Sequence, residues 1–120
     1  MAIRAIRGAT QLDRDDRDHL LVSVEELIRE ILEQNDIDTD KLVSMIFTAT
    51  PDLHSEFPAL AARQLGIGDV PLLCAQEIDV DGAMPRVIRV MVHIESDLPR
   101  DEIRHVYLRG AAALRRDLAQ

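Results

Sequence analysis

The sequence predicts an α/β fold of the α+β kind, a mixed five-stranded sheet with its helices on one side. Three observations lead there. Residues 20–32 repeat apolar side chains at helical spacing, LVSMIFTAT and VIRVMVHIE read as strands, and Pro, Gly and Asp punctuate the stretches between them. A chain of 120 residues is the usual size of one domain, so residues 1–120 are expected to share a single core. No internal repeat or low-complexity linker divides them.

In chain order, IRAIRGAT at 3–10 has strand potential, although its apolar spacing is ragged. The strongest helix is DRDDRDHLLVSVEELIREILEQND, where Leu20, Leu21, Val24, Leu27, Ile28, Ile31 and Leu32 form a stripe that needs a partner surface. Acidic residues ahead of it suit the positive end of the helix dipole, and Asn35 and Asp36 supply polar stop signals. LVSMIFTAT, 42–50, is apolar on both faces and reads as a buried strand. After the loop TPDLHSEF, Pro58 can open the short helix PALAARQL and Gly66 can end it. VPLLCA is the next strand candidate, EIDVDGAMP is turn-rich, VIRVMVHIE at 87–95 is the clearest strand, and HVYL at 105–108 is a shorter one.

Composition narrows the function classes. With 47% apolar and 30% charged residues the chain is globular rather than disordered. Its apolar runs fall well short of a membrane span, and MAIRAIRGAT lacks a signal-peptide apolar region, so a cytoplasmic protein is expected. Cys74 is the only cysteine, which excludes an intrachain disulfide and a multi-cysteine metal site. A formal charge of -8 disfavours nucleic acid, and with only Phe47, Phe57 and Tyr107 as aromatics there is little on which bases could stack.

The strand at 87–95 contains the most informative residue. Period-two geometry places Ile88, Val90, Val92 and Ile94 on one face and Val87, Arg89, Met91 and His93 on the other. An unpaired guanidinium is costly to bury, so Arg89 needs solvent, a protein carboxylate or an anionic ligand. Arg7, before Gly8, has the same ambiguity. Glu77 is either a solvated acid or the acceptor of a ligand hydroxyl, Tyr107 either packs or directs its hydroxyl to an acceptor, and Cys74 reads as a core residue before a nucleophile. Arg115 and Arg116 read as a solvated pair. His19, His54, His93 and His105 have no recognised metal spacing, and Asp79 and Asp81 do not complete a calcium loop. Several arginines with few candidate bases suit electrostatic binding of a small anion.

IRAIRGAT, TATPDLHSEFPA, CAQEIDVDGAMPRVIRVMVHI and LPRDEIRHVYLRGAAALRRDL, in this order across nearly the whole chain, closely resemble the AroH-class monofunctional chorismate mutases. The resemblance implies a homotrimer with a pseudo-α/β-barrel centre and active sites between neighbouring subunits, acting on chorismate to give prephenate in aromatic amino acid biosynthesis. Arg7, Glu77, Arg89 and Tyr107 match one group of site residues, with Cys74 at the pocket. Phe57, Ala59, Arg63 and Arg115 match the pocket boundary or the neighbouring subunit. The implied reaction is a concerted [3,3]-sigmatropic rearrangement that uses no metal, cofactor or covalent intermediate. Arg7, Tyr107 and Arg115 hold the compact conformer, Glu77 accepts the ring hydroxyl and Arg89 meets charge growing on the ether oxygen.

The resemblance departs at Leu60, where relatives can carry a lysine, and at Leu73, which replaces a threonine beside Cys74. QLGIGDVP is one position shorter than in a familiar relative. Cys74 and Glu77 would face opposite ways along an unbroken strand, so an interruption is expected near Ala75 and Gln76 if both serve one pocket. The competing readings are a non-catalytic small-anion-binding trimer, a trimeric imine or enamine deaminase of similar architecture, and a purely structural oligomer.

Overall fold

The computed structural model describes residues 2–114. Five strands, β1 (Ile3–Gln11), β2 (Leu42–Ala49), β3 (Leu72–Gln76), β4 (Val87–Glu95) and β5 (Val106–Leu108), form one sheet in the order β3-β2-β4-β1-β5. β4 is antiparallel to both β1 and β2, while β3 joins β2 and β5 joins β1 in parallel, so the sheet is mixed. β1 pairs with β4 along its full length, from Ile3 opposite Glu95 to Gln11 opposite Val87. The ragged spacing of β1 reflects its central position, where both sides of the strand are paired and Ile6, Gly8, Ala9 and Thr10 are all buried.

The long helix α1 (Arg17–Gln34) begins where the Asp16 carboxylate accepts the His19 N–H at 3.0 Å, satisfying a first-turn donor that the helix itself leaves open. Its stripe of Leu20, Val24, Leu27, Ile28 and Ile31 is buried. It sits directly on β1 at Gly8, where a Cβ would stand 2.7 Å from Ile31 Cδ1 and 3.3 Å from Leu27 Cδ1. Glycine is needed there for close approach. At the other end Asn35 donates to Ile31 O and Arg104 O and accepts the Arg104 N–H at 2.8 Å, tying the helix terminus to the chain that enters β5.

The short helix α2 (Ala59–Gln64) follows Pro58 and is left through Gly66, whose φ of +86° suits glycine. Ala59, Ala61 and Ala62 are buried with Phe47, Ile88 and Val90, so both helices cover the same face of the sheet. Among the described residues the other face is covered at one end only, where Ala111 packs with Ala9 and Val87. Across the rest of it Leu73, Ile46 and Ile3 are 60%, 37% and 52% exposed.

β1 ends one residue later than the sequence expectation, at Gln11, and β2 one earlier, at Ala49, while two strands start later than expected. β3 starts after Val70 and Pro71 and runs on to Gln76. Proline has no N–H to offer a ladder, and here only the Pro71 carbonyl contributes, accepting from Met45 N–H. β5 omits His105 because that residue meets β1 through its side chain. The expected interruption between Cys74 and Glu77 is absent as well. β3 pairs residue by residue with β2 through Ala49 and Gln76, and the Glu77 N–H continues the pairing to Ala49 O at 2.9 Å. Alternation is therefore preserved, with Cys74 opposite buried Phe47 and packed against the core, and Glu77 on the opposite face.

Candidate active site

Register across the open face builds the first cleft. Thr48 on β2 lies opposite Arg89 on β4, Arg89 lies opposite Ala9 on β1, and Ala9 lies opposite Tyr107 on β5. Two residue pairs further along, on the same face, Met91 stands opposite Arg7. Arg7, Thr48, Glu77, Arg89, Met91 and Tyr107 thereby line a common cavity of about 180 Å³. These six residues, scattered from position 7 to position 107, meet because a sheet aligns side chains laterally at every second position.

The Arg89 guanidinium stands 3.7 Å from Glu77 Oε2 through Nε, and both side chains are partly exposed. This is longer than a hydrogen bond, so Arg89 is balanced by a carboxylate without being fully engaged by it. Glu77 Oε2 also accepts from the Thr48 hydroxyl. Of the three alternatives open for Arg89 in the sequence, solvent, a protein carboxylate or an anionic ligand, the structure shows the first two, a nearby carboxylate and partial exposure. The arrangement offers a small dicarboxylate two guanidiniums and a phenol, with one carboxylate positioned to accept a hydroxyl.

A second, larger hollow of about 480 Å³ lies where the loop after β2 faces β3. Phe57, Cys74, His54, Ser55, Ala75 and Gln76 line it, and the Phe57 ring is 69% exposed. Carboxylates hold this loop. Asp15 accepts the N–H groups of His54 at 2.9 Å and Ser55 at 3.1 Å, and Glu56 accepts from Arg17 Nε at 2.8 Å and from the Phe57 N–H at 2.9 Å. For Asp15, partial burial pushes the carboxyl up, but hydrogen bonds from Ser55 and His54 with the nearby imidazole outweigh it and hold the group below its ordinary value. The Phe57 N–H, followed by the Arg17 guanidinium, lowers Glu56. Asp52 ties the loop's start to the turn before β4 by accepting the Arg86 N–H at 3.0 Å.

The sequence-derived site residues therefore divide. Arg7, Glu77, Arg89 and Tyr107 share the first cleft, whereas Phe57 and Cys74 share the second. Ala59 is buried at the start of α2, Arg63 is exposed on that helix, and Arg115 lies outside the described residues. Leu60 is half-buried against the core and Leu73 points outward from β3. Sequence reasoning missed Thr48 and His105. Period-two alternation along β2 put Thr48 on one face with Ile46, but only the β2–β4 register shows that this is the face of Arg89. The contact of His105 with Arg7, at 2.9 Å, spans 98 positions and leaves no local signal. Among the described residues no group of three or more His, Cys, Asp or Glu could hold a metal ion, and no helix is long and apolar enough to cross a membrane.

A five-stranded mixed sheet with helices on one face and an arginine–glutamate–tyrosine cleft on the other defines an α+β protein with a cleft whose charges suit a small anion. A family model described as chorismate mutase type I matches residues 3–118. The chain is 46% identical over 120 residues to the chorismate mutase AroH of Bacillus subtilis (strain 168), covering 99% of this chain and 94% of that protein. It is 48% identical over 117 residues to the chorismate mutase AroH of Thermus thermophilus, covering 97% and 96%. A solved chorismate mutase from Clostridium thermocellum superposes with a TM-score of 0.90 at 42% identity, covering 92% of this chain and 98% of that one. The chain belongs to the type I chorismate mutase family.

Proposed function

We propose that the protein converts chorismate to prephenate in sites shared between neighbouring subunits of a homotrimer. It is an isomerase of aromatic amino acid biosynthesis, and the activity follows from its family. The observation that carries the site assignment is the convergence of Arg7, Glu77, Arg89 and Tyr107 on one small cleft. Arg7 and Tyr107 would hold substrate carboxylate and shape the compact conformer, with Arg115 closing over it. Glu77, oriented by Thr48, would accept the ring hydroxyl. Arg89 would face the ether oxygen, where negative charge grows as the carbon–oxygen bond breaks, and its planar fork can donate more than one directed hydrogen bond. Restraint and preplaced charge lower the barrier without proton transfer to the protein.

The division of site residues between two clefts supports a shared site. Phe57 and Cys74 lie on the opposite side of the sheet from Arg89 within one protomer, so a pocket using both groups needs the Phe57 side of one copy set against the Arg89 side of the next. The exposed Leu73, Ile46 and Ile3 supply apolar surface for such assembly around a pseudo-α/β-barrel. Incubation with chorismate should show loss of its absorbance with formation of prephenate, and solution mass over a concentration series should give a trimer. Retention of the anion without conversion would favour a binding protein, and a persistent monomer with full activity would sink the shared site.

A further inference from the structure

We infer that His105, which belongs to none of the assigned roles, is a positioning residue that sets Arg7 for the reaction; this rests on the assignment of Arg7 to the site. The parallel pairing of β1 with β5 begins at Gly8 opposite Val106, so no β5 backbone stands beside Arg7. The Arg7 N–H is instead accepted by His105 Nδ1 at 2.9 Å. A ring nitrogen accepts only with its lone pair free, so the bond requires an imidazole with Nδ1 unprotonated. A partly buried strand donor is satisfied by this one side chain at the place where the backbone ladder stops.

The position of His105 in the chain gives the bond its reach. Immediately before it, Arg104 is pinned through both backbone polar groups by Asn35 at the end of α1. Two residues after it, Tyr107 enters the cleft beside Ala9. His105 therefore links the anchored chain, the Arg7 backbone and the strand that carries Tyr107. It borders the neighbouring hollow with Arg4, His93 and Arg100 and does not line the cleft of Arg89 and Glu77. Its described route to the cleft runs through the Arg7 backbone and the strand that carries Tyr107.

The test uses the assembled full-length enzyme. Nuclear magnetic resonance should detect a nitrogen–nitrogen coupling across the hydrogen bond between the Arg7 amide and His105 Nδ1. His105→Leu should lower kcat/KM by about tenfold to a hundredfold with fold and assembly mass unchanged, since small misplacements of binding groups carry costs of that order. His105→Asn, whose side-chain oxygen takes the place of Nδ1, should restore kcat/KM to within about threefold of wild type. Absence of the coupling, wild-type kcat/KM in His105→Leu, or an Asn variant no better than the Leu variant would each overturn the inference. The coupling decides the matter if His105→Leu fails to fold. An Arg7→Ala variant with wild-type kcat/KM would overturn the site assignment and this inference with it, whereas a crippled Arg7→Ala beside an undiminished His105→Leu overturns the inference alone.

Discussion

The two clefts of the protomer are built in different ways. The cleft of Arg89 rests on strands, and its side chains are placed by sheet register between β2, β4, β1 and β5. The hollow of Phe57 rests partly on a loop held by Asp15, Asp52 and Glu56. Ladder geometry is fixed by many backbone bonds acting together, while a loop held by a few carboxylates can be loosened one group at a time. Charge stabilisation needs the first kind of support, because a misplaced dipole must be reoriented during the reaction. A pocket wall tolerates the second.

Substitutions can break this contrast, and the largest effect is expected at Arg89. Arg89→Ala should lower kcat by about 10²- to 10³-fold while the assembly mass and the buried face of β4 are unchanged. Arg89→Lys should recover little, since an ammonium lacks the planar donor fork. Wild-type kcat in both folded variants would make Arg89 a structural residue. Glu77→Gln comes next, with kcat/KM reduced by roughly tenfold to a hundredfold through loss of a charged acceptor and with circular dichroism unchanged. Near-wild-type kcat/KM would remove Glu77 from the site.

Smaller effects are expected in the second hollow. Cys74→Ala should keep kcat within about tenfold, the scale of one hydrogen bond, as expected of a proposed reaction that uses no nucleophile. A loss of several orders of magnitude would reveal a nucleophile. Asp15→Asn should change kcat/KM least and act mainly on the acid dependence of the loop. Because Asp15 is held below its ordinary value, its contribution to stability is complete above the ordinary carboxylate range and is lost as pH falls through the lowered value. Wild type should therefore soften in acid more steeply than Asp15→Asn, and identical unfolding curves against pH would show that the clamp contributes nothing.

Much of this was legible in the sequence where one local rule sufficed. The alternation of VIRVMVHIE gave β4 to the residue and placed Arg89 opposite the buried face. The stripe from Leu20 to Ile31 gave α1, and Pro58 and Gly66 bounded α2. Resemblance then brought Arg7, Glu77 and Tyr107 beside Arg89, which no periodicity could do because the pairs β1–β4 and β1–β5 join distant positions. Local reasoning failed at Ala75 and Gln76 because it asked a single chain to bring Cys74 and Glu77 to one side. The strand stays regular, and the two residues belong to different faces of the protomer. Thr48 stayed hidden for a related cause: a threonine in a strand reads as β-propensity until a partner strand reveals what it touches.

The shortness of β5 has a consequence of its own. Three residue pairs fasten this edge strand to β1, against nine along the β1–β4 pairing, so β5 is expected to open more readily than β4. When β5 detaches, Tyr107 leaves the cleft and the Arg7 N–H loses its acceptor, yet Arg89 stays on paired β4 and Glu77 stays bonded to β2 just past the end of β3. Amide exchange at Tyr107 should accordingly outrun exchange at Arg89. On warming, turnover should fade through this partial opening before the helix-backed core gives way, and should return on cooling without the chain having refolded.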